Sequence, residues 1–445
     1  MLHNHPDRGF YVTALWMGEE AVSYCTVAHM AIEKNTPDTD VPTVSTAETR
    51  DWATAFDHAD PTYNENAHAI WEDLRGRCPV AHTEAYGGTW LPVRHEDVHA
   101  IAYDTQHFSS VGVVVSNVPV DFTQCPVGGA PPITSDPPFH NEVRRLLLPA
   151  FAPKPVQARE DDIREMCQRL LKKIRGRMVV EGVDTADAAR EYAQHIPVYV
   201  IADMLGLPQR DADMFRGFVH DVLEGVNEEP EKRIEAIGKL AAYLEAAVIA
   251  HETDPQDDLT SYLMNVDVNG SKLPREHVVG TMILLLIAGI DTTWSAIGSA
   301  LWHLGTHPED LRKLATGEAE WALAIEELLR AYAPVTMARV VREEIQIGDV
   351  VMKPGDWTLL PFPAANRDPE MFERADEVLI DREQNRHAAF GLGIHRCIGS
   401  NLARLELTIA VQEFVREFPE YSVEGEVVWS LGQVRGPREL PIKIG

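Results

Sequence analysis

Positive charge is scarce in this sequence. Against 69 acidic residues stand 40 lysines and arginines, a formal net charge of −29 over 445 residues. A surface of that sign repels polyanions, which excludes non-specific affinity for DNA, RNA or anionic lipid and otherwise serves solubility. Cysteine is scarcer still: five residues, at 25, 78, 125, 167 and 397, with no CxxC pair. An odd and widely spaced set excludes a disulfide framework or a cysteine-rich zinc site and points to a reducing compartment, so a cytoplasmic location is expected. Long apolar runs are missing too. The longest, VVGTMILLLIAGI at 278–290, falls short of the roughly 20 residues that span a bilayer and reads as a buried helix.

The first residues carry no basic start, continuous apolar centre or small-residue cleavage pattern, so no signal peptide is expected. Residues 1–45, polar and proline-bearing in their second half, are expected to form a poorly ordered extension to a domain over 46–445; Met30 offers an alternative start, which would place 1–29 outside the native protein. No internal repeat, low-complexity block or interdomain linker interrupts the 46–445 domain.

What the sequence does have is helical periodicity. HNEVRRLLLPAF (140–151), REDDIREMCQRLLKKI (159–174) and REYAQHIPVYVIADMLGLP (190–208) predict helices, the last stopped by Gly206 and Pro208. From Pro274, read as a first-turn residue, to Gly305 the text predicts one rod of about 48 Å at ~1.5 Å per residue, apolar on every side at its middle. VREEIQI (341–347), DVVM (349–352) and WTLLPF (357–362) read as small hairpins on a helical body. The glycine- and proline-rich stretch 111–134 reads as a long loop able to line a pocket. The fold expected is a mainly α single large domain with small β-hairpins and a long buried central helix.

FGLGIHRCIG (390–399) sets Cys397 among Gly391, Gly393 and Gly399, directly after His395 and Arg396. Helical spacing resumes at once through Ile398, Leu402, Leu405 and Ile409, so the sulfur is expected at a helix N-terminus, where unpaired amides and the helix dipole favour a thiolate. The glycines clear the backbone around it for something large and flat. His395 and Arg396 add donors suited to carboxylates.

A thiolate beneath a flat, carboxylate-bearing ligand describes axial ligation of haem iron. The stretch resembles the cysteine loop of the cytochromes P450, carried here by Phe390, Gly393, Cys397 and Gly399 with Leu402, Ala403 and Arg404 beyond, and three further segments are similar to that family's motifs. Ala288-Gly289-Ile290-Asp291-Thr292-Thr293 resembles its oxygen-activation motif, with Gly289 expected to remove bulk beside the oxygen site, Thr292 to offer a hydroxyl there and Asp291 to feed protons inward from solvent. Glu327 and Arg330 resemble its Glu-x-x-Arg pair, joined by Arg382. His140, Arg144, Arg339 and His395 match its propionate contacts.

The resemblance covers about residue 50 to the end. It implies haem b as cofactor, with Cys397 as iron ligand, Phe390, Gly391, Gly399 and Ala288 lining the site, and insertion of one oxygen atom from O2 into a small apolar or amphipathic molecule. Substrate contacts are expected from the 111–134 loop, Leu285, Ala288 and Val335 to Met337. With no reductase module in the sequence, electrons are expected from a ferredoxin or flavodoxin and its NAD(P)H-dependent reductase, docked on a local basic patch of Arg144, Arg145, Arg386, Arg396 and Arg404. Two other readings stay open: a peroxide-using peroxygenase, disfavoured by the intact Asp291-Thr292 pair, and a non-catalytic haem or ligand sensor.

Overall fold

Helix-period patterning dominates the sequence, and the computed structural model is correspondingly helical; it describes residues 50–115, 129–223, 230–268 and 270–445. The expected extension over 1–45 and most of the 111–134 loop lie outside the described residues. Helix α1 (Pro61–Arg77) begins where the Asp60 carboxylate accepts the amides of Thr62 and Tyr63 and where proline occupies the first turn. Its apolar face (Ala67, Ile70, Trp71 and Leu74) packs on a five-stranded sheet. That sheet runs in the order β1 (Val80–Thr83), β2 (Thr89–Pro92), β6 (Trp357–Pro361), β5 (Thr336–Val341), β3 (Phe108–Ser109), with β2 and β6 parallel and the other pairs antiparallel. Helix α2 (His95–Tyr103) lies against the sheet through Val98, Ile101 and Ala102.

The helical layer holds α3 (Phe139–Leu147), α4 (Glu160–Glu181), α5 (His195–Met204), α6 (Ala212–Leu223), α7 (Pro230–Thr253), α8 (Arg275–Thr306), α9 (Trp321–Ala331) and α10 (Ser400–Glu417). A small sheet, β7 (Tyr421–Val423), β9 (Pro441–Ile444) and β4 (Thr185–Asp187), closes one end, and β8 (Pro437–Glu439) runs along α8. Helix α8 is the predicted rod with its start shifted: Pro274 is the N-cap residue, extended at ψ 151, and the helix begins one residue later. By length and composition α8 passes for a membrane span, but 72% of its most apolar stretch is buried inside the protein, which accounts for that character.

The strand reading needs correction. The pattern 341–347 spans a break: β5 ends at Val341, and Ile345–Ile347 pairs instead with Val350–Met352. WTLLPF joins the five-stranded sheet beside β5 rather than forming a hairpin of its own. All five positions of β6 are buried, so the alternation that marks a half-exposed strand is missing from it.

Candidate active site

Cys397 sits in the turn before α10, its amide donating to the Phe390 carbonyl at 2.7 Å. Its side chain is accessible, yet it lies deep enough for burial to push the thiol up, against the opposing pull of the Gly399 amide, Arg144, Arg396 and Arg404. The thiolate expected from the helix terminus alone is therefore not favoured by the protein, because desolvation outweighs one amide and three guanidinia; a cation at the sulfur would tip it.

The glycines act otherwise than expected. Gly391 and Gly393 have φ near +70°, where side chains are disfavoured, and a Cβ on Gly393 would stand 2.2 Å from the Ala102 carbonyl oxygen. Gly393 thus fits the cysteine loop against α2. Gly399 is at φ −80°, with ordinary room for a Cβ beside the sulfur.

On α8, Ala288 is exposed while Leu285, Leu286, Ile290 and Asp291 around it are buried, so a patch opens midway along a buried helix. Thr292, one turn on, is half-exposed, its hydroxyl donating to the Ala288 carbonyl at 2.8 Å. Gly289 faces elsewhere: its missing Cβ would sit 3.3 Å from Ile201 of α5, so it permits helix packing rather than clearing the oxygen site. Asp291 is 1% exposed and is held by Arg438 of β8, whose Nη2 lies 2.6 Å from Oδ1 and whose Nη1 donates to Ser295. Glycine allows that approach, since a Cβ on Gly436 would meet Ser295 at 2.3 Å. Asp291, expected to feed protons inward from solvent, thus stands as a buried carboxylate in an ion pair.

The structure brings His140 and His395 together and adds members to the cluster. His140 and His395 stack with centroids 4.2 Å apart, and Nε2 of His140 is buried without a hydrogen-bond partner. The Arg339 side chain, 5% exposed, bonds only the Ala338 carbonyl among the described residues, and burial pulls its pKa down to about 10. Burial also pulls His395 down to about 2, with Arg339, His140 and Arg144 adding to it. Arg144 donates to the Arg396 carbonyl. Sequence reading missed Ser110, whose hydroxyl lies 2.9 Å from Nε2 of His395, and Asp136, which accepts the Ser110 amide and pairs with Arg342. Asp136 directly precedes the Pro137-Pro138 pair that signals the turn into α3, but nothing in that signal marks it as a charge beside the cluster.

The family model described as Cytochrome P450 matches residues 189–316 and 322–428. The chain belongs to the cytochrome P450 family.

Cytochrome P450 107B1 from Saccharopolyspora erythraea is 31% identical over 88% of this chain and 97% of its own. A vitamin D(3) 25-hydroxylase from Pseudonocardia autotrophica is 32% identical over 86% of this chain and 95% of its own. Among solved structures, the bacillaene polyketide synthase cytochrome P450 PksS of Bacillus subtilis superposes with a TM-score of 0.78 at 28% identity, covering 88% of this chain and all of that one. The protein is thus a P450 monooxygenase with haem b as its cofactor. The donor set suits that group. His140 has a buried, unpartnered nitrogen and Arg339 no contacting carboxylate among the described residues, as a dicarboxylate ligand requires.

Around this P450 site, Glu327 and Arg330 are wholly buried and paired at 2.8 Å through two bonds, with Arg382 joining Glu327 at 2.9 Å. Glu326, the preceding residue, binds Arg404 and His387; burial raises its carboxyl but these two bonds prevail and draw it down to about 2. Arg404 also lies 4.4 Å over the Phe390 ring, which removes it from the basic patch as a free charge. Of the pocket residues, Leu285 is buried in the helical core, Met337 packs with the cluster around Phe108 and Leu360, and Val335 bridges to Val434.

Proposed function

We propose that this P450 inserts one oxygen atom from O2 into a small apolar or amphipathic organic substrate, in the cytoplasm, using electrons from a ferredoxin or flavodoxin with its NAD(P)H-dependent reductase. Two observations carry the reading: Cys397 is accessible, and α8 has a local opening at Ala288 and Thr292 in its otherwise buried middle. When bound, haem would supply the oxygen activation, and a thiolate on its iron would add the electron density that this chemistry uses. Cys397 would hold the iron, and Arg144, Arg339, His140 and His395 the propionates, with Phe390, Gly391, Gly399 and Ala288 against the ring.

Protons are the protein's second task. Thr292 presents its hydroxyl at the opening, anchored to Ala288. Asp291 adjoins it in sequence but is held by Arg438, so a proton from solvent reaches Thr292 through Asp291 only when that ion pair loosens. Thr292→Val keeps shape and removes the hydroxyl: substrate oxidation per NAD(P)H consumed should fall about tenfold, with peroxide released instead. Unchanged coupling would remove Thr292 from the proton route.

For docking, Arg145, Arg386 and Arg396 are exposed and pair with no carboxylate among the described residues. Arg145→Glu is expected to raise the ferredoxin concentration for half-maximal reduction about tenfold at low salt, with the difference shrinking as salt is added. An unchanged requirement across several ferredoxins would refute the patch.

A further inference from the structure

A second cluster of positive charge lies where α1, the turn after α9, residues 364–367 and the segment 429–435 meet. His68 and Arg75 are seven apart on α1 and so share a face. Arg75 donates through Nη2 to the Ala364 carbonyl at 2.8 Å, the same oxygen that accepts the Arg367 amide at 3.1 Å. Arg367 is 5% exposed and reaches the Ala331 carbonyl at 3.0 Å and that of Asp376 at 2.8 Å, leaving a buried Nε with no partner. Arg435 is tied by its amide to the Pro334 carbonyl at 2.8 Å, and its guanidinium lies 4.5 Å over the Trp429 ring. Its Nε is buried and also unpartnered.

Among the described residues no carboxylate contacts any of these three arginines. Glu72, Asp368 and Asp376 act on Arg75 only at range, and Asp368 spends its carboxylate on the amides of His95 and Glu370. Carbonyl dipoles satisfy part of Arg75 and Arg367, whereas among the described residues the Arg435 guanidinium has only an aromatic face. His68 is exposed, yet burial and the three neighbouring arginines hold its pKa at about 3. Three guanidinia gathered with carboxylates acting only at range, and none in contact among the described residues, are costly to bury, and an anion between them would offset that cost.

We propose that His68, Arg75, Arg367 and Arg435 form a binding site for a phosphate-type oxyanion. Arg435 supplies its terminal amino groups, Arg75 the Nη1 that bonds nothing among the described residues, and the neutral imidazole of His68 an N–H that adds no charge. Arg367 contributes field from the floor.

The test is calorimetric titration of the haem-loaded protein with inorganic phosphate and, separately, glycerol phosphate, with chloride keeping ionic strength constant. One saturable site per chain is expected, and the tighter ligand of the two tells whether the anion is free or carried on an organic group. Arg435→Gln should weaken binding at least tenfold, and His68→Gln, at an accessible position that tolerates change, at least threefold. If Arg435→Gln does not fold, the His68 variant decides alone. Absence of saturable binding beyond the chloride control, or equal affinity in the variants, would overturn the site.

Discussion

Arg330→Ala is expected to cost about 4 kcal/mol or more and to leave little holoprotein at 37 °C. The side chain is wholly buried, and its five donors are all used: two bonds to Glu327, and bonds to the carbonyls of Asn366, Ala375 and Glu377 at 2.6–2.8 Å. Removing it strands three carbonyls and opens a cavity beside Phe372, over whose ring the guanidinium lies at 5.4 Å. Glu327 would keep Arg382, Asn385 and the Leu379 amide, so the carboxylate itself stays partly compensated. Arg330→Lys retains the charge without the fork and should recover less than half of the loss. Thermal inactivation at matched pH measures this; an alanine variant within 1 kcal/mol of wild type would show that the network is dispensable.

Glu406→Gln is expected to stabilise the protein at pH 8 by roughly 3–5 kcal/mol and to change little at pH 4. Glu406 lies on the face of α10 that packs near Cys167 of α4, 3% exposed, with Oε2 unpartnered; burial lifts its pKa from 4.5 to about 8, opposed only by Arg159 at range. The unfolded chain ionises near 4.5, while the folded one holds its proton until about 8. Stability from this group is therefore complete below pH 4.5, declines as pH rises and is fully lost above 8. Glutamine has no proton to lose, so the gap between the two Tm curves should open between pH 4.5 and 8. Parallel curves would mean that Glu406 is ionised in the folded state.

Legibility in the sequence follows chemistry more than geometry. The cysteine loop, the α8 motif and the Glu-x-x-Arg pair are readable because each depends on residue types at short, fixed spacing. The buried core of α8 is readable for the same reason, being apolar over whole turns. Contacts that close over long loops leave no such trace: Arg438 meets Asp291 across 147 residues and Ser110 meets His395 across 285. Side-chain direction is equally hidden, so Gly289 reads as part of the oxygen site although it serves the packing of α5. For Cys397, spacing announces the helix terminus but not the desolvation that opposes it. Burial is a property of the assembled fold.

The most direct measurement is the absorption spectrum of the purified, reduced protein under carbon monoxide, for wild type and Cys397→Ala. The wild type should show the red-shifted Soret band of thiolate-ligated haem, and the variant should lose it while remaining folded by circular dichroism. A folded, haem-loaded wild type without that band, or a variant that keeps it, would contradict Cys397 as the iron ligand and with it the mechanism derived from this site.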